Sequence, residues 1–179
     1  TGQMGFQRGL SAGEIIAQVI HAQRLLQAEG KKITNIVYMG MGEPFLNYDA
    51  TMASLRRLID PTGLNFGARR ITVSTVGIIP KIEKFSHEGL QVNLAVSLHS
   101  ADNELRSQIV PANRIYPLKN LISACRAYTD ETHRRISFEY ALINDLNDSP
   151  AAAYQLAGLI KGMLCHVNLI ALNPSKAYP

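Results

Sequence analysis

The sequence predicts an α/β fold built on a parallel sheet or barrel. Short runs rich in β-branched residues alternate with segments of helical periodicity along the whole chain. Five such strands are visible, and the segments between them are too long for hairpins, so they require parallel pairing with right-handed crossovers. With 179 residues, of which 46% are hydrophobic, the chain can bury one sizeable core. We therefore expect a single domain over residues 1–179.

Local signals place the elements along the chain. Ser11 and Glu14 have the spacing of a capping box at a helix start, and Gly30 is a typical helix end. Pro80 and Pro150 are suited to the first turn of a helix. Helices are predicted at about 12–29, 80–88, 102–109, 118–128 and 150–162. Strands are predicted at 33–39, 70–74, 92–97, 135–140 and 166–171.

Composition excludes several classes of protein. No apolar run approaches the length needed to cross a bilayer, and the first residues lack a signal-peptide pattern, so we expect a cytoplasmic protein without a membrane partner. The two cysteines, Cys125 and Cys165, lie in a helix-like and a strand-like context without zinc-finger spacing. Two such cysteines do not suit a disulfide scaffold and fit a reducing compartment, so both are expected to be structural.

The formal net charge of +4 gives weak evidence for a nucleic-acid partner. The charge comes from scattered basic pairs and not from a long basic tail. These pairs are Lys31-Lys32, Arg69-Arg70 and Arg134-Arg135. Solvated helix ends and loops are the more common explanation of such pairs.

Residues that suit a binding site fall at or near the carboxyl end of every predicted strand, where parallel α/β folds carry their sites. They are Gly42-Glu43, Ser74-Thr75, Ser97-Leu98-His99, Glu139 and Asn173-Pro174. Each has an alternative structural role as a cap, a turn residue or a hydrogen-bonded group. For Glu139 the structural alternative is an ion pair with Arg135 or Arg70.

Glu43 is the least easily explained as a structural residue. It precedes a proline, which holds it extended, and Gly40 and Gly42 allow a ligand to approach the backbone closely. A carboxylate held in this way suits a cationic group such as an ammonium. We therefore expect Glu43 to bind an amine.

Five motifs in this order resemble the RlmN/Cfr family of radical S-adenosylmethionine RNA methyltransferases. They are "GMGEP" at 40–44, "STVGIIP" at 74–80, "SLH" at 97–99, "IVPAN" at 109–113 and "HVNLIALNP" at 166–174. The resemblance runs over essentially the whole chain, and it implies a partial parallel (β/α)6 radical-SAM barrel whose first strand and cluster loop are missing from this chain.

The resemblance also implies how S-adenosylmethionine is bound. Gly42 and Glu43 would meet the methionyl amine, and Asn173 would close the pocket near the adenosine portion. The full set of implied cofactor-binding residues is Gly42, Glu43, Ser74, Ser97, Leu98, His99 and Asn173.

Two parts of the family's active site are expected outside this chain. The opening "TGQMGF" is similar to the family sequence that follows the three cysteines of a [4Fe-4S] cluster, so the cluster ligands would precede Thr1. The family's methyl-carrying cysteine would lie beyond Pro179. The resemblance therefore implies no catalytic or metal-binding residue within 1–179, and this fragment alone is expected to be inactive.

For the full-length protein, the resemblance implies methylation of an adenine of RNA, at carbon 2 or carbon 8. Ribosomal RNA is the expected substrate, with transfer RNA as an addition, and an electron donor such as flavodoxin is the expected protein partner. Two alternatives stay open. One is a cluster-free α/β-barrel lyase or isomerase that uses Glu139 and His99 as acid and base; the other is an inactive RNA-binding fragment.

Overall fold

The computed structural model describes residues 6–172. The chain divides into two compact units, which are described separately below. The first unit is Thr1–Ser74 with Leu90–Asn93, and the second is Thr75–Gly89 with Leu94–Pro179. In chain order the described elements are α1 (Ala12–Ala28), β1 (Ile36–Tyr38), α2 (Tyr48–Ile59), β2 (Ile71–Thr75), α3 (Ile79–Ser86), β3 (Asn93–Ser97), α4 (Asn103–Ile109), α5 (Leu118–Thr132), β4 (Ile136–Leu142), α6 (Pro150–Ile160) and β5 (Cys165–Ala171).

In the first unit, β1 and β2 pair in parallel, with Tyr38 opposite Val73. The Tyr38 hydroxyl lies 2.8 Å from Ser54 Oγ on α2, so this helix covers the face of β1 that carries Tyr38. Helix α2 buries one stripe of side chains at helical spacing, as an amphipathic helix does. The apolar members of the stripe are Tyr48, Met52, Leu55 and Leu58.

Helix α1 begins with the predicted capping box. The Ser11 side chain accepts a hydrogen bond from the Glu14 N–H, and the Glu14 carboxylate accepts one from the Ser11 N–H at 2.9 Å. The hydrogen bond from Arg8, and secondarily those from Ser11, lower the pKa of Glu14 to about 2. At the other end Gly30 has a φ of 70°, the left-handed conformation that ends many helices.

In the second unit, β3, β4 and β5 pair in parallel and in chain order. One face of these strands is buried and apolar, with Leu94, Val96, Ile136 and Phe138 at or near zero exposure. Helices α3 and α5 pack against each other, and Phe85 stacks on Tyr128 with ring centroids 6.2 Å apart.

Five parallel strands alternating with helices confirm the predicted α/β class, but several boundaries differ from the prediction. Helix α2 was not predicted at all. The strand predicted at 33–39 covers only Ile36–Tyr38, while α5 runs four residues further than predicted, to Thr132. The strand predicted at 135–140 is Ile136–Leu142. Propensity alone does not fix the ends of elements, because tertiary contacts decide them.

Within residues 6–172, no helix is both long enough and apolar enough to span a membrane. The cytoplasmic location and the single-domain organisation remain predictions.

Candidate functional site

In the first unit, the predicted site residue Ser74 lies close to the carboxyl end of β2. Because Tyr38 is opposite Val73, Ser74 comes directly after the last paired residues, at the edge where β1 also ends. Burial alternates along β2: Ile71, Val73 and Thr75 are fully or almost fully buried, whereas Thr72 and Ser74 are half-buried. Ser74 therefore lies on the less buried face of the strand.

Gly42 and Glu43 follow the carboxyl end of β1. Gly42 has a φ of 106°, which only glycine adopts without strain, and nothing lies within 4 Å of the position that a Cβ would take. Glu43 is extended, at φ −116° and ψ 110°, as the following proline predicts. One of its carboxylate oxygens, Oε1, accepts a hydrogen bond from the Phe45 N–H at 3.0 Å and so caps a short 3₁₀ helix at Pro44–Asn47. The structure thus gives Glu43 a structural role, and its binding of an amine remains a prediction.

In the second unit, the Ser97-Leu98-His99 segment is held in place by backbone hydrogen bonds. The Leu98 and His99 N–H groups both donate to the Glu139 carbonyl, at 2.9 and 3.2 Å. His99 is left-handed, with a φ of 58°, and its carbonyl accepts a hydrogen bond from Asn147 Nδ2 at 2.7 Å. A non-glycine residue in this conformation persists only where its surroundings fix it.

The His99 ring is also fixed, and it is neutral at pH 7. Its Nδ1 accepts a hydrogen bond from the Ala141 N–H at 3.0 Å, which assigns the proton of the neutral ring to Nε2. Burial, and secondarily the charge of Arg106, lower the pKa of His99 to about 4. The ring can therefore donate one hydrogen bond from Nε2 to a ligand without carrying a charge.

The side chain of Arg106 holds the Ser97-Leu98-His99 segment in place through hydrogen bonds to its backbone. Its side chain is fully buried, and burial lowers its pKa to about 10, so it is still protonated at pH 7. The guanidinium donates to the carbonyls of Leu98 at 3.1 Å, Ser97 at 3.0 Å and Val76 at 2.8 Å, and to Asn113 Oδ1 at 2.6 Å. One cation thereby joins the end of β3 to the loop that follows β2.

One face of the three strands of the second unit is polar. Ser97, Glu139 and Asn168 occupy one row across β3, β4 and β5, because Ser97 is in register with Glu139 and Glu139 with Asn168. Asn168 Nδ2 donates to Glu139 Oε2 at 2.8 Å. The structural alternative, an ion pair of Glu139 with Arg135 or Arg70, does not occur among residues 6–172.

The two cysteines do not form a metal site. Cys125 is buried, and burial raises the pKa of its thiol to about 12; burial also raises the pKa of Cys165. Among residues 6–172, no group of three or more histidines, cysteines or acidic residues could hold a metal ion. The described residues therefore do not fit the ligands of an iron–sulfur cluster.

The structure thus describes all the predicted cofactor-binding residues except Asn173, which lies outside the described residues. Gly42, Glu43 and Ser74 belong to the first unit, and Ser97, Leu98 and His99 to the second. Sequence reasoning did not single out Arg106, Asn113 or Asn168. Asn113 lies in the "IVPAN" motif, and His166 and Asn168 are two residues apart in an apolar run and so face the same side of a strand, whereas no signal marked Arg106.

Comparison with known proteins gives one family match. The family model described as the radical SAM superfamily matches residues 7–157. Among curated proteins, the chain is 52% identical over 176 residues to "Probable dual-specificity RNA methyltransferase RlmN" from Geobacillus kaustophilus, covering 97% of this chain and 48% of that protein. A protein of the same name from Dictyoglomus thermophilum is 48% identical over 179 residues, covering 100% of this chain and 51% of that protein. The chain spans about half the length of these relatives.

Solved structures agree with this match. The crystal structure of a radical SAM methyltransferase from Sphaerobacter thermophilus is 57% identical, with a TM-score of 0.96 over 99% of this chain and 52% of that chain. Streptococcus suis SuiB, whose structure was determined with bound S-adenosylmethionine, is 13% identical, with a TM-score of 0.66 over 97% of this chain and 36% of that chain. At that identity the second likeness shows the fold alone. These findings confirm the predicted family resemblance and the predicted partial-barrel fold class.

Proposed function

We propose that this chain, which belongs to the radical SAM superfamily, is the cofactor-binding part of an enzyme that methylates an adenine of RNA. The observation that carries this proposal is the 52% identity, over 97% of this chain, to a protein named as an RNA methyltransferase. The polar strand ends support it, because they supply the hydrogen-bonding groups that a cofactor of this size and polarity requires.

S-Adenosylmethionine and a [4Fe-4S] cluster are the cofactors of this superfamily. The residues proposed to bind S-adenosylmethionine are Gly42, Glu43, Ser74, Ser97, Leu98, His99 and Asn173. Bound S-adenosylmethionine would supply the transferred methyl group and the radical chemistry. The described residues include no group of three or more side chains that could hold the cluster.

The chain's own residues would bind and orient the cofactor. The Glu43 carboxylate suits the methionyl ammonium, because a charge-assisted hydrogen bond contributes about 1.5–3 kcal/mol. Gly42 lets the ligand approach the backbone, since open space surrounds the position of its missing Cβ. The neutral His99 ring offers an N–H donor without adding a charge next to a sulfonium.

The proposed reaction methylates carbon 2 or carbon 8 of adenine. The proposed substrate is ribosomal RNA, and transfer RNA is a further proposed substrate. An electron donor such as flavodoxin would act with the enzyme in the cytoplasm. Residues 1–179 alone would be inactive, because they are proposed to be the cofactor-binding part of a longer protein.

The proposal is tested with the full-length protein, reconstituted anaerobically with iron and sulfide. The protein is incubated with S-adenosylmethionine, a reductant and either unmodified ribosomal RNA or unmodified transfer RNA, and the RNA is digested to nucleosides for mass spectrometry. We expect 2-methyladenosine or 8-methyladenosine, which chromatographic standards distinguish, and neither product without reductant. Binding of S-adenosylmethionine with no methylated adenosine in either RNA class would contradict the proposed substrate.

A further inference from the structure

The side chain of Asn147, in the loop that follows β4, is buried and hydrogen-bonded to backbone groups on all sides. The residue retains 2% of its accessible surface. Its Nδ2 donates to the carbonyls of His99 and Ala141, each at 2.7 Å. Its Oδ1 accepts a hydrogen bond from the Ile143 N–H, also at 2.7 Å. Both polar atoms of this carboxamide therefore have partners, as buried polar groups normally do.

The carboxamide lies where the pairing of β3 with β4 ends. Regular parallel pairing reaches Ser97 and Glu139, and the left-handed His99 then interrupts it. The Glu139 carbonyl points towards β3, since it accepts a hydrogen bond from the Leu98 N–H. Backbone groups two residues apart on a strand point to the same neighbour, so those of Ala141 also point towards β3. Beyond the interruption they need other partners.

Two side chains supply these partners. His99 Nδ1 accepts a hydrogen bond from the Ala141 N–H at 3.0 Å, and Asn147 Nδ2 donates to the Ala141 carbonyl. Because the same Nδ2 also donates to the His99 carbonyl, Asn147 holds the backbone of both residues in one geometry. The His99 ring is thereby fixed through its own backbone and through its Nδ1, and these two constraints set the direction of its Nε2.

We infer that Asn147 is a positioning residue for His99, whose left-handed backbone it holds so that the ring presents its Nε2–H donor to S-adenosylmethionine. The inference rests on the proposed function, in which His99 binds the cofactor. Asn147 itself would not touch the cofactor, because its side chain is buried and already bonded to the chain's own backbone. Its effect on cofactor binding should therefore pass through His99.

The test is a double-mutant cycle on the full-length, anaerobically reconstituted enzyme, with methyl-labelled S-adenosylmethionine as the probe in equilibrium dialysis. Asn147→Ser removes both donated bonds. His99→Asn removes the imidazole Nε2, while asparagine tolerates the left-handed backbone and can accept from the Ala141 N–H. The third variant carries both substitutions, because a cycle measures whether two residues act together.

Tyr140→Phe is the matched control. The Tyr140 hydroxyl donates to the backbone carbonyl of Asn147 at 2.9 Å, so this substitution loosens the same loop and spares the carboxamide. We expect it to lower the temperature of thermal unfolding and to change the affinity for S-adenosylmethionine by less than about 2-fold.

We expect His99→Asn and Asn147→Ser each to weaken binding about 3- to 10-fold, as for the loss of one neutral hydrogen bond. If Asn147 acts through His99, the double variant should bind within about 2-fold of His99→Asn alone. A merely structural role predicts instead that the two losses multiply, to about 10- to 100-fold in the double variant.

Multiplied losses would overturn the inference. Unchanged affinity in either single variant, or an equal loss in Tyr140→Phe and Asn147→Ser, would overturn it as well. In each case a wild type that binds S-adenosylmethionine leaves the proposed function intact, whereas a wild type that does not bind it would reject the proposed function and the inference together. If Asn147→Ser does not fold, as judged by thermal unfolding, Asn147→Asp replaces it in the cycle, because aspartate keeps the acceptor for the Ile143 N–H.

Discussion

His99 makes the stability of the protein depend on pH. Its folded-state pKa is about 4, below the 6.5 of an exposed imidazole, so between these values the unfolded chain binds a proton that the folded chain does not. Stability is therefore fully present above pH 6.5 and falls as the pH is lowered from 6.5 towards 4. The loss attributable to this half-buried ring should be about 1–2 kcal/mol, because solvent screens part of the effect.

The substitution His99→Asn isolates this contribution. Asparagine tolerates the left-handed backbone, and its Oδ1 can accept the hydrogen bond from the Ala141 N–H. Urea unfolding of both proteins at pH 4.5, 5.5 and 7.5 should show a smaller loss of stability on acidification in the variant. Parallel pH profiles would mean that His99 is not held neutral.

Arg106 should be among the most sensitive positions for stability. Arg106→Met would leave three carbonyl oxygens and the Asn113 side-chain oxygen without their donor, at about 1–3 kcal/mol for each oxygen that stays unsatisfied. We expect a loss of at least about 3 kcal/mol in urea unfolding. Arg106→Lys should recover only part of it, because an ammonium cannot reproduce the planar fork.

The control is Arg126→Met, since Arg126 also donates to two carbonyls, those of Leu159 and Lys161, but at a more exposed position. There water replaces the lost donor, and we expect a loss of about 1 kcal/mol. Equal losses at Arg106 and Arg126 would show that the buried network contributes little.

These residues also show how far sequence reasoning extends. Glu43 could be singled out because its neighbours, a proline and two glycines, are visible in the sequence. Arg106 could not, because its partners are mainly backbone carbonyls, which every residue has. An arginine was one structural alternative for the partner of Glu139, and the sheet register places Asn168 beside Glu139 instead.

At the scale of elements, the loop between β2 and α3 depends on Gly77. Its φ is 106°, and an added Cβ would lie 2.9 and 3.0 Å from the two methyl carbons of Leu121, which is fully buried and cannot easily move. Backbone strain and overpacking together should cost about 2–4 kcal/mol in Gly77→Ala.

Gly89→Ala separates the two causes, because Gly89 also has a positive φ, of 66°, but nothing lies within 4 Å of its Cβ position. The Gly89→Ala variant should lose about 1 kcal/mol of stability in thermal or urea unfolding, from backbone strain alone. If Gly77→Ala costs no more than Gly89→Ala, the contact with Leu121 does not restrict the loop.

Local sequence signals predicted most of the helices and strands, and helix α2 is the exception. The capping box of α1 and the proline-led starts of α3 and α6 are visible in the sequence and form as predicted. Helix α2 was missed although its buried residues, Tyr48, Met52, Leu55 and Leu58, recur at helical spacing. It follows the short helix that Glu43 caps.

At the scale of the whole molecule, the fold class follows from the order of strands and helices, and the family from the order of five motifs. The chain spans about half the length of the curated relatives it matches. The proposed contribution of this part is a binding surface for the cofactor, which can be measured as an affinity.

The most direct test of this account is the affinity of the full-length, reconstituted protein for S-adenosylmethionine, compared between the wild type and Glu43→Gln. Glutamine retains an oxygen that can cap the Phe45 N–H, so the substitution removes the charge and spares the fold. The control is Glu29→Gln, at an exposed carboxylate that pairs with Lys31. We predict that Glu43→Gln weakens binding about 10- to 100-fold and Glu29→Gln less than about 2-fold. Equal affinities of the wild type and Glu43→Gln would contradict the assignment of Glu43 to the cofactor site.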